Sequence, residues 1–355
     1  MGSCPENTFR VFDRTDYYTI HGPNAESIAK SFFGTTSAIK YIGSDSSQKI
    51  ASIAISQSRY ESLLRHILIE NKYRLELYKK TSNKKSSNEW ELDFKASPGC
   101  LGPLEDIIYS TNVSIDSRGV CAVQYSIDFK IGIAFVDSIT NEMSFCEFED
   151  NNYLSLLESL LVQISPKECL IPIKDKTESE VSKKLSKLLD SNRILVTEVK
   201  KNCFNSSNLD SDLKKLVVKK VDKEITLNSE SIVISFDINL NYSSKAMLEK
   251  KRLSRESLSA VLDYLNLIGD NSNFESFSFT EINLTKCVKL DATAVQSLDL
   301  FPNNINDCNT KTNGTLFQVL NKCRTLSGQR LLAQMIRQPL TDINKIGINF
   351  LNSIN

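Results

Sequence analysis

Hydrophobic and polar residues alternate in the first third of the chain in a way that predicts short strands separated by helices. Residues 9–13 and 17–20 have the period of two that is typical of half-buried strands. Apolar residues at helical spacing predict one helix after these strands and a stronger one over 58–71. Ser58 and Glu61 have the spacing of a capping box, which would start this second helix.

A hairpin is predicted next. Residues 73–80 and 90–96 alternate again, and a polar, lysine-containing segment joins them. The second strand would place Trp90, Leu92 and Phe94 on one face. A Pro-Gly break and one more short helix then end a first compact unit.

The pattern changes at residue 119 to a succession of apolar strands. GVCAVQYSI, FKIGIAFVDS and EMSFCEFED predict an antiparallel meander of three strands. A helix over 151–164, a strand over 168–173 and a strand over 193–199 follow. A meander that leads into strand–helix–strand repeats predicts a mixed sheet with helices on its faces, which is a ribonuclease-H-like layout.

From residue 254 the apolar spacing is helical. One of the later helices is predicted to start at Asp291, and the last to end before Pro339. Residues 200–252 are interpreted as a peripheral region, and the pattern near Asn355 stops as if the chain were incomplete. The predicted fold class is α/β plus α, with a mixed-sheet domain over 1–113, a ribonuclease-H-like domain over 114–252 and the start of an all-helical domain over 253–355.

Composition is that of a soluble globular protein of two or three domains, since 355 residues exceed a usual single domain. Forty-three Lys and Arg residues balance 43 Asp and Glu residues, so any contact with nucleic acid must be local. No run approaches the ~18 apolar residues of a membrane helix, and no signal-peptide core is present. We expect a cytosolic or nuclear protein without a membrane partner.

Nine cysteines and two histidines do not form a metal-binding pattern. No two cysteines have CxxC spacing, and His21 and His66 are far apart in the chain. We expect scattered thiols in a reducing compartment and no zinc site.

The stretch FDRTDYYTIHG contains two adjacent aromatic residues, Tyr17 and Tyr18. Strand alternation would place their rings on opposite faces, so one could pack in the core while the other contacts a partner. Either one ring stacks on a nucleic-acid base, or both are ordinary strand residues. Lys84 and Lys85, at the tip of the predicted hairpin, are either phosphate contacts or part of a solvated loop.

A metal-dependent nuclease is the competing hypothesis for the ribonuclease-H-like unit. Two-metal nucleases need several carboxylates that converge at strand ends. Asp128 and Asp137 lie at such ends without further metal ligands nearby in the sequence, so both are interpreted as solvated turn residues. The sequence contains no HExxH, GxSxG or Cys/His/Asn signature.

Three separated stretches resemble the MutS family of DNA mismatch-repair proteins. KLDATAVQSLDLF, with TLFQVLNKCRTLSGQRLLAQMIRQPL, is similar to the start of that family's helical lever domain. FDRTDYYTIHG is similar to its mismatch-binding motif, and KYRLELYKK with FKASPGCLGPLEDIIY to the rest of that first domain. The segments KASPG, CEF and PKEC look most like the eukaryotic homologue-two subfamily.

The resemblance implies a mismatch-binding-type domain, a connector and a truncated lever. Family members that read mismatches carry Gly-x-Phe-Tyr-Glu, whose Phe stacks on the mispaired base and whose Glu hydrogen-bonds to it. Here Tyr17 replaces the Phe and Thr19 replaces the Glu. Thr19 removes a strong acceptor, and a buried tyrosine hydroxyl without a partner costs about 1–3 kcal/mol. We therefore expect a subunit that does not insert a wedge.

The same resemblance implies partners and a location. The chain would bind double-stranded DNA with mismatches or loops in a heterodimer with a mismatch-reading MutS homologue subunit. A MutL-type protein and an exonuclease would contact the connector, and the complex would be nuclear. A protein-interaction scaffold without DNA contact is the remaining alternative.

No enzyme activity and no cofactor are expected of the chain itself. The phosphate-loop pattern GxxxxGK[ST] is missing, and the dipeptide Gly-Lys does not occur at all. The resemblance therefore implies that ATP and Mg²⁺ belong to a C-terminal ATPase outside this chain.

Overall fold

The computed structural model describes residues 7–43, 49–80, 90–104, 107–108, 119–138, 140–173, 180–218, 226–227, 230–231, 246–302, 314–343 and 346–347. The chain divides into two compact units, Met1–Val113 and Ser114–Asn355. Lys84 and Lys85 lie outside the described residues.

The described residues of the first unit form a six-stranded mixed sheet on which helices pack. Its strands are β1 (Thr8–Asp13), β2 (Tyr17–His21), β3 (Lys40–Ile42), β4 (Ile50–Ser56), β5 (Arg74–Lys80) and β6 (Trp90–Ala96). Its helices are α1 (Pro23–Ser31) and α2 (Gln57–Arg65), which continues as a π-helical turn, His66–Glu70. The strand order is β3-β4-β2-β1-β5-β6, with β1 parallel to β5 and the other neighbours antiparallel.

Both helices pack on one face of this sheet and form the core with it. Val11 and Ile53 of the strands pack with Ile28 of α1 and Leu64 of α2, and all four are at most 1% exposed. Each such side chain contributes about 1.5–3 kcal/mol through burial. Strand alternation turns the intervening residues to the other side of the sheet. We call that side the open face; it carries Arg10, Phe12, Tyr17, Thr19, His21, Glu76, Tyr78 and Trp90.

The start of α2 differs from the prediction. The helix begins at Gln57, and its N-cap residue, Ser56, makes no side-chain cap bond. The predicted capping box of Ser58 and Glu61 is therefore wrong, because Ser58 already lies within the first turn. Glu61 instead accepts a hydrogen bond from Arg65, at 2.7 Å.

A β-bulge changes the faces of β6. The register between β5 and β6 shifts between Leu77 and Tyr78, so that Phe94 lies opposite Leu77 and Leu92 lies opposite Tyr78. An extra residue on one strand reverses the side-chain alternation beyond it. The prediction that Trp90, Leu92 and Phe94 share a face is therefore wrong: Phe94 packs on the core, and the other two turn to the open face.

A second six-stranded mixed sheet forms the second unit. Its strands are β7 (Val120–Tyr125), β8 (Lys130–Asp137), β9 (Glu142–Glu149), β10 (Glu168–Pro172), β11 (Leu195–Val199) and β14 (Ser278–Glu281), and a separate pair is β12 (Thr226–Leu227) with β13 (Glu230–Ser231). The order is β11-β10-β7-β8-β9-β14. The predicted antiparallel meander, β7-β8-β9, is present, and β10, β11 and β14 add to it in parallel.

Helices cover both faces of the second sheet. The α-helices described in this unit are α3 (Ser155–Ile164), α4 (Glu180–Ser191), α5 (Leu209–Leu216), α6 (Arg252–Tyr264), α7 (Ala292–Ser297), α8 (Leu316–Leu320) and α9 (Leu326–Arg337), and the first four pack on the sheet. Leu160 of α3 and Leu189 of α4 are buried against one face. Leu213 of α5 and Leu258 of α6 are buried against the other. The α7 helix starts as predicted, since the carboxylate of Asp291 accepts a hydrogen bond from the backbone N–H of Ala294 at 2.6 Å.

Part of the region predicted to be peripheral belongs to the core. Phe204, Leu209, Leu216 and Val217 are each at most 4% exposed and pack in the same cluster as α6. The prediction for residues 200–218 is wrong because three leucines of the short α5 have the spacing of one buried helical face, which neighbouring lysines obscure.

The helix predicted to open an all-helical unit at residue 253 instead packs on the second sheet. Its small residues permit this: Ser257 donates a hydrogen bond to the carbonyl of Gly132 at 2.8 Å, and Ser254 to that of Cys146 at 2.7 Å. Farther along, β14 pairs with β9 at the sheet edge. The segment over 253–355 is therefore not all-helical, and its first thirty or so residues share the core of the sheet.

Candidate nucleic-acid interface on the first unit

The turn between β1 and β2 positions the predicted aromatic pair. The backbone N–H of Arg14 donates to the carbonyl of Tyr17 at 2.9 Å and closes the turn. The carboxylate of Asp13 accepts the N–H of Thr15 at 2.7 Å, which is an Asx-type turn. Thr15 has a φ of 77°, in the left-handed region that β-branched residues avoid. The turn is therefore tight and locally strained.

The two tyrosines lie on opposite faces, as strand alternation predicts. Tyr18 stacks on Tyr60 of α2, with ring centroids 3.7 Å apart and planes at 9°. Burial raises the pKa of both hydroxyls, most for Tyr60. Tyr17, in contrast, is 43% exposed. Tyr17 is thus the one of the pair whose ring is available to a partner, and Tyr18 belongs to the packing beneath α2.

Aromatic side chains form a cluster on the open face. Phe12 is 3% exposed and forms the floor of this cluster. Tyr78 stacks on it with centroids 5.2 Å apart, Trp90 meets it edge-on at 5.1 Å, and His21 lies at 5.3 Å. Such pairs contribute about 0.5–1.5 kcal/mol each beyond the area that they bury. The cluster is a second, small core that holds Trp90 near the turn.

Arg14 extends from the turn across this cluster. Its guanidinium carbon lies 4.5 Å from the centroid of the Trp90 ring, and its Nε–H donates to the hydroxyl of Thr19 at 3.4 Å. Thr19 is 6% exposed. Burial and the nearby charge of Arg14 lower the pKa of His21, so that imidazole is neutral near pH 7.

Several other cations of the unit are paired with carboxylates. Arg10 and Lys95 bind Glu76 at 3.0 and 3.3 Å. Burial alone would raise the pKa of Glu76, but the hydrogen bonds from these cations and from a tyrosine outweigh it, so the pKa is lowered. Lys79 pairs with Asp93 at 2.8 Å, which raises the pKa of the lysine. Arg14, in contrast, has no carboxylate partner among the residues that the structure describes.

We expect Thr15→Gly to stabilise the first unit by about 1 kcal/mol. A left-handed conformation costs a non-glycine residue about 1–2 kcal/mol, and the substitution removes this cost. The greater conformational entropy of glycine in the unfolded chain offsets roughly 0.5–1 kcal/mol of that stabilisation. The motif that FDRTDYYTIHG resembles has glycine at this position. Urea unfolding followed by the fluorescence of Trp90, the only tryptophan in the sequence, measures the effect.

Asp16→Gly is the control for this prediction, since Asp16 belongs to the same turn and its φ is not among the positive ones. It should gain nothing, because it adds flexibility without relieving strain. Equal stabilisation by both variants would show that φ strain at Thr15 is not the cause.

The two aspartates of the nuclease hypothesis differ in their surroundings. Asp128 is exposed in a turn, as predicted. Asp137 is 7% exposed, so its interpretation as a solvated residue is wrong; it accepts a backbone N–H from Thr140 and lies opposite Glu142. Burial and the charge of Asp137 raise the pKa of Glu142. Within the described residues, His, Cys, Asp and Glu side chains form no group of three or more that could hold a metal ion.

Arg14 and Trp90 are the site residues that the sequence analysis missed. Arg14 lies within the quoted stretch FDRTDYYTIHG, but its contact with Trp90 joins residues 76 positions apart in the chain. The bulge that turns Trp90 to the open face cannot be recognised from the alternation of apolar and polar residues in β6. In the described part of the chain, no helix is both long and apolar enough to cross a bilayer.

Comparison with known protein families identifies three domains along the chain. Models of three domains match the chain: MutS domain I over residues 1–105, MutS domain II over 118–278 and MutS domain III over 293–347. The second match ends in β14, so it includes α6, in agreement with the packing of that helix on the sheet.

Three similar proteins come from eukaryotes. The chain is 32% identical over 342 residues to DNA mismatch repair protein MSH2 of Arabidopsis thaliana, with 95% of the chain and 33% of the relative covered. It is 29% identical over 373 residues to MSH2 of Saccharomyces cerevisiae, with 96% and 35% covered. DNA mismatch repair protein MSH3 of A. thaliana is 25% identical over 235 residues, with 64% and 21% covered.

The chain thus spans about a third of the length of the MSH2 relatives. The three domain matches follow one another in order and together extend over most of the sequence. On this combination of domain matches and MSH2-like sequence, the chain belongs to the MutS family of DNA mismatch-repair proteins.

Proposed function

We propose that this chain is the DNA-contacting N-terminal region of a mismatch-repair subunit that does not insert a wedge. It binds duplex DNA with mismatches or loops as part of a heterodimer, and a mismatch-reading MutS homologue subunit supplies the stacking residue. The observation that carries this proposal is the geometry at Tyr17, Thr19 and Arg14. It leaves an exposed tyrosine and a cation on the protein surface, and at the position of the motif's glutamate it has Thr19 in place of a carboxylate.

Thr19 cannot replace the glutamate of the mismatch-reading motif. Its hydroxyl is buried and already accepts the Nε–H of Arg14. A hydroxyl in this position is also a weaker acceptor than a carboxylate, whose hydrogen bonds are roughly twice as strong as neutral ones. A mispaired base that approached Tyr17 would therefore find no free strong acceptor from Thr19.

Tyr17 is also poorly suited to insertion between bases. Unstacking a base step costs a few kcal/mol, which an apolar wedge regains through burial. A tyrosine ring would carry its hydroxyl into the stack, where a missing partner costs about 1–3 kcal/mol. Contact of Tyr17 with the sugar-phosphate backbone leaves the hydroxyl free to hydrogen-bond, and this is the role that we propose for it.

Several features of the whole protein are part of the same proposal. A C-terminal ATPase that uses ATP and Mg²⁺, a MutL-type protein and an exonuclease bound at the second unit, and a nuclear location are proposed on the resemblance to the family. Lys84 and Lys85 are proposed as further phosphate contacts. No observation on the described residues favours the nuclease alternative.

Mismatch preference is the measurement that tests the proposal. The 355-residue chain should bind a G·T-mismatched 30-base-pair duplex and the matched duplex with the same affinity. Addition of a mismatch-reading subunit to the subunit that contains this chain should create the preference. Tyr17→Ala should lower the affinity for both duplexes alike, and by only a fewfold, since one backbone contact is lost.

Two results would contradict the non-wedge assignment. One is a mismatch preference of about tenfold or more by the chain without a partner; the other is a Tyr17→Ala variant that loses affinity for the mismatched duplex but not for the matched one. If the chain did not bind either duplex at low salt, the scaffold alternative would be correct instead.

A further inference from the structure

We propose that Arg14 is a phosphate-binding residue of the first unit, held in position by Trp90 and Thr19. The inference rests on the proposed function, because it assigns the contact through which the open face binds the DNA backbone. Arg14 is not among the candidates from the sequence, which are the aromatic pair of Tyr17 and Tyr18 and the two lysines Lys84 and Lys85.

The geometry of Arg14 leaves the fork formed by the two terminal NH₂ groups of its guanidinium free to bind an anion. The Nε–H is used by Thr19, and the guanidinium carbon lies over the Trp90 ring. These contacts leave the two terminal NH₂ groups, which are the groups that bind two phosphate oxygens side by side. No carboxylate among the described residues competes for them.

The contact with Trp90 fixes the side chain before a ligand arrives. A free arginine side chain loses rotamer entropy when it is immobilised. Trp90 is itself immobilised, because its ring packs edge-on against Phe12 at 5.1 Å. Much of the ordering of Arg14 is therefore complete in the free protein, which favours binding.

The charges around Arg14 differ between the two sides of the sheet. On the open face, Glu76 is occupied by Arg10 and Lys95, and His21 is neutral near pH 7. Asp13 lies opposite Tyr18 in the β1–β2 register, which turns its side chain to the helix-bearing side. Asp16 is exposed in the same turn but forms no ion pair with Arg14 in the described structure. The unpaired guanidinium therefore lies close to the exposed ring of Tyr17, and a polyanionic backbone is the ligand that fits both.

The salt dependence of DNA binding tests the assignment. We would measure the affinity of the 355-residue chain for a matched 30-base-pair duplex by fluorescence anisotropy between 25 and 200 mM salt. Arg14→Gln should weaken binding about tenfold at the lowest salt and reduce the slope of log K against log salt by about 0.9. Arg14→Lys should keep the slope, since it keeps the charge, and lose only part of the affinity.

Arg59→Gln is the matched control. Arg59 is an exposed arginine of α2 whose guanidinium lies 5.7 Å from the ring centroid of Phe33, so it also makes a cation–π contact, but on the other side of the sheet. Its replacement removes the same charge and should leave the slope unchanged. Equal slopes for Arg14→Gln and Arg59→Gln would overturn the assignment while leaving DNA binding by the first unit intact.

Trp90→Leu separates positioning from charge. This variant keeps Arg14 but removes the surface on which it lies, so affinity should fall about threefold or more while the slope stays that of the unaltered chain. Thermal unfolding monitored by circular dichroism verifies that each variant is folded at the assay temperature. No measurable DNA binding by the unaltered chain would overturn both this inference and the proposed function, whereas an unchanged Arg14→Gln slope overturns only the inference.

Discussion

Gly132→Ala should lower the free energy of unfolding of the second unit by about 3 kcal/mol, the upper end of the usual cost of overpacking. A Cβ atom at Gly132 would lie 2.3 Å from the backbone carbonyl carbon of Leu253 and 2.4 Å from the backbone nitrogen of Ser254. Both are backbone atoms of the α6 region, so no side-chain rotation can relieve the overlap. The helix would have to move away from the sheet.

Movement of α6 would also break hydrogen bonds that join it to the sheet. The hydroxyl of Ser257 donates to the carbonyl of Gly132, and that of Ser254 to the carbonyl of Cys146. Both serines are fully buried, so a lost partner is not replaced by water. Each broken bond adds about 1–3 kcal/mol of desolvation cost, which is why we expect one methyl group to have a large effect.

Chemical denaturation can assign the loss to the second unit. Far-ultraviolet circular dichroism follows both units, and the fluorescence of Trp90 follows the first unit alone, because it is the only tryptophan in the sequence. Gly132→Ala should move the circular-dichroism transition to lower urea and leave the fluorescence transition in place.

Gly314→Ala is the control, since the nearest atom to its added Cβ would be 3.7 Å away and the φ of Gly314 is not among the positive ones. This variant should be neutral within about 0.5 kcal/mol. A Gly132→Ala protein as stable as Gly314→Ala would show that α6 does not pack on β8 as the structure has it.

The close approach at Gly132 also shows what the sequence could not specify. The apolar stripe of α6 was predicted correctly, but a stripe gives no information on which neighbour it packs against. The small residues that allow contact with β8, Ser254 and Ser257, look like polar surface positions in the sequence. Their burial became visible only with the sheet in place, and so the domain boundary predicted at residue 253 was misplaced.

Periodic segments were predicted well because their spacing depends on local geometry. The alternation within each strand of the meander, the alternation of Tyr17 and Tyr18 and the capping residue Asp291 each involve residues within a few positions of one another. The contact between Arg14 and Trp90 depends on a bulge in β6 and on the packing of Trp90 against Phe12, and these features join three strands. Long-range contacts of this kind leave no periodic signal, and the cation of the candidate site was therefore missed.

Thr19→Glu should weaken binding to duplex DNA about tenfold, although it restores the acid of the mismatch-reading motif. The hydroxyl of Thr19 lies 3.4 Å from Nε of Arg14, so a glutamate there would reach the guanidinium and pair with it. The pair would occupy the fork that we assign to phosphate and would cancel its charge. The slope of log K against log salt should fall by about 0.9, as in Arg14→Gln.

A double-mutant cycle distinguishes this mechanism from a general effect of added negative charge. If the introduced carboxylate acts by neutralising Arg14, Thr19→Glu in an Arg14→Gln background should weaken binding by less than a factor of two. Thr19→Val, which removes the hydroxyl without adding charge, should retain the slope. If Thr19→Glu instead produced a mismatch preference in the chain alone, the carboxylate would be free to bind a base, and neither its pairing with Arg14 nor the non-wedge role of this subunit would be correct.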